Sequence, residues 1–136
     1  MIALDTSVAV AAFATWHEHH PAAVRAISRD ARLPSHVALE TLAVLTRLPP
    51  PHRASADLVV RFLAANFPQP VLTLPAREHR ALLETCARLG IVGGSVYDAL
   101  VAATAARAGA TLLSLDRRAR VVYEAMGVEA RFLGDG

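Results

Sequence analysis

The feature that most constrains this chain is a short apolar run, "MIAL", that stops abruptly at Asp5 and resumes beyond Thr6 and Ser7 as "VAVAAFA". A second run of the same build, "TLLSL", ends at Asp116. Runs this short have the length of a strand rather than a helix. Their unbroken apolar character, without alternation, belongs to strands covered on both faces. Segments of helical spacing separate them, and that alternation predicts an α/β fold with a mostly parallel sheet.

Further elements fill in between and around these runs. The pattern predicts a helix over about 7–15 with Thr6 or Ser7 as N-cap. A second helix begins at Pro21, a residue suited to a first turn, and runs to about Asp30. "RLPS" reads as a short edge strand. "HVALETLAVLTRL" has Val37, Leu42, Val44, Leu45 and Leu48 at helical spacing, with Ser35 as cap, and the prolines at 49–51 stop it. Next come a helix over 54–66, a buried strand at "VLTL", and a long helix from Ala76 to Leu89 closed by Gly90. A helix from Val96 to Ala108 leads into "TLLSL", then a helix over 117–126 and a last strand, "VEARFL". The expected architecture is one domain over 1–136 whose central sheet has four to five short strands flanked by helices.

Composition removes several classes of function. Apolar residues make up 54% and charged residues 19%, the balance of a compact chain. The single cysteine, Cys86, cannot form an internal disulfide and points to a reducing compartment. No basic leader precedes a long apolar stretch, and no run approaches the ~20 residues of a membrane span. The expectation is a cytoplasmic protein with no membrane contact. Its positive charge is all arginine, fourteen residues with no lysine, in line with the codon usage of a chain also rich in Ala and Pro. Without a lysine there is no P-loop, and a phosphorelay receiver, which needs a late lysine beside its acidic pocket, is disfavoured. "RLGIVGGS" carries neither glycine fingerprint of nucleotide binding. Ser7 stands where a dehalogenase-type phosphatase needs a second Asp, and no G-x-S-x-G elbow is present.

The acidic residues carry the positive argument. In a parallel sheet the strand ends and the N-termini of the following helices share one edge, and ligands bind there where strand order reverses. Asp5 and Asp116 end strands, Asp98 falls in the first turn of the helix after "GGS", and Glu40 lies near the start of the third helix. Each has a local alternative. Asp5 and Asp116 suit helix caps, Ser95 to Asp98 resembles a capping box, and Glu40 can point to water from an amphipathic face. Glu40, however, interrupts "VALETLAVL" with only His36 as a basic neighbour within four positions. Four acids drawn together repel one another, and their pKa values rise. A hard divalent cation removes that penalty, and all-oxygen ligation favours Mg²⁺ or Mn²⁺ over zinc. Such an ion suits phosphoryl chemistry, because it acidifies water and stabilises charge at an attacked phosphate.

On these residues the chain resembles the PIN-domain ribonucleases, and specifically the VapC-type toxins of toxin–antitoxin pairs. Four segments in order carry the likeness: "ALDTSV" with Asp5, "ALETL" with Glu40, "GGSVYDALVAATA" with Asp98, and "ATLLSLDRRA" with Asp116. The resemblance covers essentially the full length and is weakest over 50–75. It implies a PIN-like three-layer fold and the toxin role in a type II toxin–antitoxin system. The implied activity is Mg²⁺- or Mn²⁺-dependent endoribonuclease, cleaving RNA phosphodiesters with metal-activated water. It also implies a small cognate antitoxin and a homodimer. By match of motif, Asp5, Glu40, Asp98 and Asp116 are the catalytic and metal-holding acids, Asp5 and Asp98 most directly. Thr6 and Ser7 sit where hydroxyls support the first Asp and the metal waters.

Charge fits an RNA substrate. Fourteen arginines face twelve acids, and setting aside the four proposed ligands leaves eight, a surplus of six positive charges. Arg117 and Arg118, directly after Asp116, are candidates for RNA phosphate contacts or for a solvated helix face. His17, His19 and His20 lie together without a nearby Cys and read as a polar connector rather than a metal site. His36, close in sequence to Glu40, is a candidate for serving near the site but reads first as a surface residue of a capped helix. Cys86 reads as a small core residue, and Trp16, with Phe13, as core rather than partner surface. The alternative class of function is a non-catalytic RNA- or protein-binding module on the same fold.

Overall fold

The computed structural model describes residues 1–134 of the chain. Among them, strands β1 (Ile2–Leu4), β2 (Ala31–Arg32), β3 (Thr111–Ser114) and β4 (Ala130–Phe132) form one sheet. Its order is β2-β1-β3-β4, and every pairing is parallel. Seven α-helices flank it: α1 (Thr6–Phe13), α2 (His20–Ala26), α3 (Ser35–Arg47), α4 (Ala56–Asn66), α5 (Ala76–Leu89), α6 (Ser95–Arg107) and α7 (Arg120–Met126). A single 3-10 turn, Arg117–Ala119, leads into α7.

Successive strand residues point to opposite faces, so a sheet open on one side would expose every second one. Here Ala3, Leu4, Leu112 and Leu113 are all buried. Both faces are therefore covered, as the apolar runs require. The covering helices carry small residues at their contacts. α1 buries Ala9, Ala11 and Ala12, and α6 buries Ala99, Ala102 and Ala105, which lets helix backbones approach closely. Val8, Val37, Leu112 and Tyr123 belong to the main core. Cys86, Ile91, Ala99 and Val122 form a satellite cluster that fastens α5 to α6 and α7. Cys86 thus has the small core role expected of it. Gly90 ends α5 at φ +69°, a conformation a side chain would strain. No described helix is long and apolar enough to cross a membrane.

Several expectations are corrected. "VLTL" is not a strand. Leu72 makes a single parallel bridge to Pro34, with its N–H on the Leu33 carbonyl (2.9 Å) and its carbonyl taking the Ser35 N–H (2.8 Å). The ladder goes no further because α3 begins at Ser35, and Pro70 and Pro75 bracket the segment. α2 ends at Ala26 instead of near Asp30, because Ser28 and Asp30 hydrogen-bond each other in the turn that follows. α1 is capped by Asp5, whose carboxylate accepts from the Val8 N–H, so Thr6 and Ser7 are already helical. Neither Ser35 nor Ser95 caps its helix. Pro34 and Gly94 hold those positions without a side-chain bond, and no capping box forms at Asp98. Trp16 is 48% exposed, not core. α1 stops at Phe13, which packs edge-on against Phe62 at 5.3 Å, and leaves Trp16 in the turn, its ring tilted 31° against that of His52 at 4.2 Å.

Candidate active site

The chain passes from β1 to β2 on one side and later adds β3 on the other side of β1, so strand order reverses between β1 and β3. The carboxyl ends of these strands open a crevice at that point. Three backbone N–H groups stitch it together. Asp5 donates to the Leu113 carbonyl (3.0 Å), Leu115 to Ser7 Oγ (2.8 Å) and Asp116 to Ser114 Oγ (2.9 Å). Asp5 and Asp116, more than a hundred residues apart in sequence, emerge into one cleft of about 60 Å³. α3 adds Glu40 to its lining, and the first turn of α6 adds Tyr97 and Asp98.

Asp5 is only 4% exposed. Ser7 Oγ donates to its Oδ1 at 2.5 Å, the Val8 N–H donates to the same oxygen at 3.3 Å, and the Tyr123 hydroxyl donates to Oδ2 at 2.8 Å. Burial pushes the Asp5 pKa up, and hydrogen bonds from Ser114, Ser7, Tyr123 and the Val8 backbone oppose it. The cap reading and the site reading of Asp5 are therefore both met by one side chain. Burial, and then the charge of Asp5, push the Tyr123 phenol up, so it stays a donor.

Glu40 is held differently. Thr6 Oγ1 donates to its Oε1 at 2.5 Å, so Thr6 supports Glu40 and not the first Asp. His36 Nε2 lies 3.6 Å from the other oxygen, Oε2. That nitrogen is buried without a hydrogen-bond partner among the described residues. His36 thus packs behind Glu40 with its Nε2 enclosed and the rest of its side chain partly exposed, and its ring lies parallel to that of Tyr97 at 4.9 Å.

Asp98 reports on the crowding. Its pKa is pushed up to about 6, by burial first and then by the charges of Asp116, Asp5 and Glu40, with Arg118 opposing. Like charges raise a carboxyl only when they are near, so the four segments do share one field. Asp116 spends Oδ1 on the Arg118 backbone N–H (3.1 Å) and on Arg118 Nε (3.4 Å). Arg118 also lines a wider groove of about 620 Å³ that opens from the cleft, with His17, Glu18 and His19 on its wall. Arg117 is exposed on the 3-10 turn.

Among the described residues no group of three or more His, Cys, Asp or Glu side chains could by itself hold a metal ion. His17 and His20 use ring nitrogens locally: His17 Nδ1 accepts from the His19 N–H (3.0 Å) and His20 Nδ1 meets the Ala11 carbonyl (2.8 Å). The acidic cleft fits a hard cation of another kind, one that takes one or two carboxylates and keeps its waters. Its donors are all oxygen, and its crowded charge is what such an ion relieves.

Sequence reasoning missed Tyr123 and Tyr97. A buried tyrosine needs a hydrogen-bond partner, which is a signal, but the partner here lies 118 positions away.

Comparisons with known proteins agree with this picture. The PIN domain family model matches residues 2–125. Ribonuclease VapC40 of Mycobacterium tuberculosis (strain CDC 1551 / Oshkosh) is 50% identical over 133 residues, covering 98% of this chain and 99% of the relative. Ribonuclease VapC27 of Mycobacterium tuberculosis (strain ATCC 25618 / H37Rv) is 41% identical over 128 residues, 93% of each chain. Among solved structures, FitAcB from Neisseria gonorrhoeae matches with a TM-score of 0.69 at 19% identity, covering 96% of both chains. VapBC2 from Rickettsia felis, bound to a DNA fragment from their promoter, matches with a TM-score of 0.66 at 14% identity, covering 97% of this chain and 98% of that one. At such identities these two structures speak for the fold alone.

Proposed function

The chain belongs to the PIN domain family, and on that premise we propose that it is a Mg²⁺- or Mn²⁺-dependent endoribonuclease, the toxin of a toxin–antitoxin pair. The observation that carries this reading is the gathering of Asp5, Glu40, Asp98 and Asp116 from four separate segments into one cleft. The Asp98 pKa, pushed up to about 6 by burial and then by the charges of Asp116, Asp5 and Glu40, supports it. Relatives named as ribonucleases, at 50% and 41% identity over nearly the whole chain, support the choice of substrate.

When bound, the cation supplies positive charge at the scissile phosphate and lowers the pKa of the attacking water. Asp5 and Asp98 would hold it, with Glu40 and Asp116 completing the negative wall. Three donors on Asp5 stop its carboxylate from swinging, so it presents a fixed edge to the cleft. Thr6 does the same for Glu40. Asp98 would hold the cation as its carboxylate, and its raised pKa would make cation affinity depend on pH. Arg118, beside the groove, and Arg117 are placed to draw in a polyanion. The antitoxin is read as a small protein that blocks this cleft, and the active chain as a homodimer.

The test is cleavage of single-stranded RNA by the purified protein, with Mg²⁺ or Mn²⁺ and with chelator. Cutting is expected only with the cation, and Asp5→Ala and Asp98→Asn should each slow it by roughly a hundredfold or more. A wild-type protein that cuts no RNA under these conditions overturns the proposal, as does Asp5→Ala cutting at the wild-type rate. RNA binding indifferent to the cation, with no cutting, identifies the binding module instead. Copurification with the product of an adjacent short reading frame tests the antitoxin.

A further inference from the structure

The ribonuclease reading leaves one feature of the cleft unused. Tyr97 is 54% exposed, yet it lines the same pocket as Asp98, its neighbour in the chain. One face of its ring is covered by the His36 imidazole, parallel at 4.9 Å. His36 in turn is braced against Glu40 at 3.6 Å. A tyrosine ring left to itself on a helix surface turns freely about two bonds. Here it is backed by a second flat ring, and that ring rests on the acidic wall. More than half of the residue remains exposed to solvent where it lines the cleft.

We propose that Tyr97, backed by His36, is a stacking platform for a nucleobase of single-stranded RNA beside the scissile phosphate. The inference rests on the ribonuclease reading for its substrate class. Unpaired bases are recognised by stacking on exposed aromatic faces, and a base pair would hide the faces that Tyr97 needs. The platform supplies what the rest of the cleft lacks. Acidic side chains repel RNA until a cation is present, and Arg118 attracts it through charge. An aromatic face adds attraction that is independent of charge and tolerant of sequence. Trp16, tilted against His52, is a second exposed aromatic pair, but Trp16 does not line the cleft, so it cannot place a base next to the acids. Tyr97 is a positioning residue: it orients the strand, and the acids do the chemistry.

The test measures fluorescence anisotropy of a short fluorescein-labelled single-stranded RNA of mixed sequence, and of the same ribose–phosphate chain without bases. Both are titrated with the intact protein in Ca²⁺. Tyr97→Ala and Tyr97→Leu are expected to weaken binding of the base-bearing RNA by roughly fivefold to a hundredfold and to leave the abasic chain unchanged. Tyr97→Phe restores it. Leu keeps the helix and the apolar bulk without the flat ring, so it separates stacking from packing. Equal binding of the base-bearing RNA by wild type, Tyr97→Ala and Tyr97→Leu overturns the platform. Parallel loss of both oligomers overturns it too, because that pattern marks a general defect. Failure to cut RNA alongside Tyr97-dependent base binding would sink the ribonuclease and leave the platform standing. Cutting by a wild type that does not distinguish the two oligomers would do the reverse.

Discussion

Asp5 carries two duties with one carboxylate: it caps α1 and it faces the cleft. Its hydrogen bonds matter because it is nearly sealed from water, and Tyr123 provides the donor on Oδ2. Tyr123→Phe should therefore destabilise the protein by about 1.5–3 kcal/mol, the range for a hydrogen bond to a charged group. The loss should shrink as Asp5 becomes protonated, since a neutral acid accepts more weakly. Urea denaturation of both proteins over a series of pH values checks both statements. Asp98 gives a second expectation. Its carboxyl moves from 3.8 to about 6 on folding. Between those values the folded protein keeps a proton that the unfolded chain has released, so metal-free stability falls as pH rises through that window. Asp5 is shifted in the same direction and adds to the slope. Asp98→Asn should raise the melting temperature in chelator above pH 6, match wild type near pH 4, and flatten the profile between. At this scale the four acids were legible because each interrupts or ends an apolar segment. Tyr123 and the His36–Tyr97 stack were not, because their partners lie on other elements and leave no local pattern.

The elements divide in the same way. β1, β3, α5 and α6 were readable because apolar runs and glycine stops are local signals, and Gly90 closes α5 as the sequence requires. Caps were read less well. Serines at 35 and 95 looked like caps, but Pro34 and the turn at Gly93–Gly94 fix the chain before the helix begins. Asp98 is thereby released from local duty and left to the cleft. "VLTL" forms no strand because its partner segment turns into α3 at Ser35 after a single bridge, and that partner lies on another element. α6 matters most for function. It carries Asp98 and buries Ala99, Val101, Ala102, Thr104 and Ala105. Ala102 is fully enclosed, so Ala102→Leu should cost about 1–3 kcal/mol by overpacking. It should also lower the cleavage rate by shifting Asp98, even where the protein remains folded. The midpoint in urea and the rate at low temperature separate the two effects.

For the whole molecule, parallel pairing decides the outcome. Because all four strands run one way, every strand end and following helix start meets on one edge, and the reversal of order at β1 opens that edge into a cleft. The alternation of apolar runs and helices made this arrangement legible, although the strand order depends on pairings no single segment encodes. The same topology sets a small acidic hole in a surface with a surplus of positive charge. The cation site is the central claim, and Mn²⁺ titration of the purified protein by calorimetry tests it most directly. Binding is expected in the wild type and in His17→Ala/His19→Ala, and is expected to be lost in Asp5→Asn and in Asp98→Asn. Mn²⁺ affinity unchanged by both Asp substitutions, or abolished by the histidine pair alone, would contradict the account.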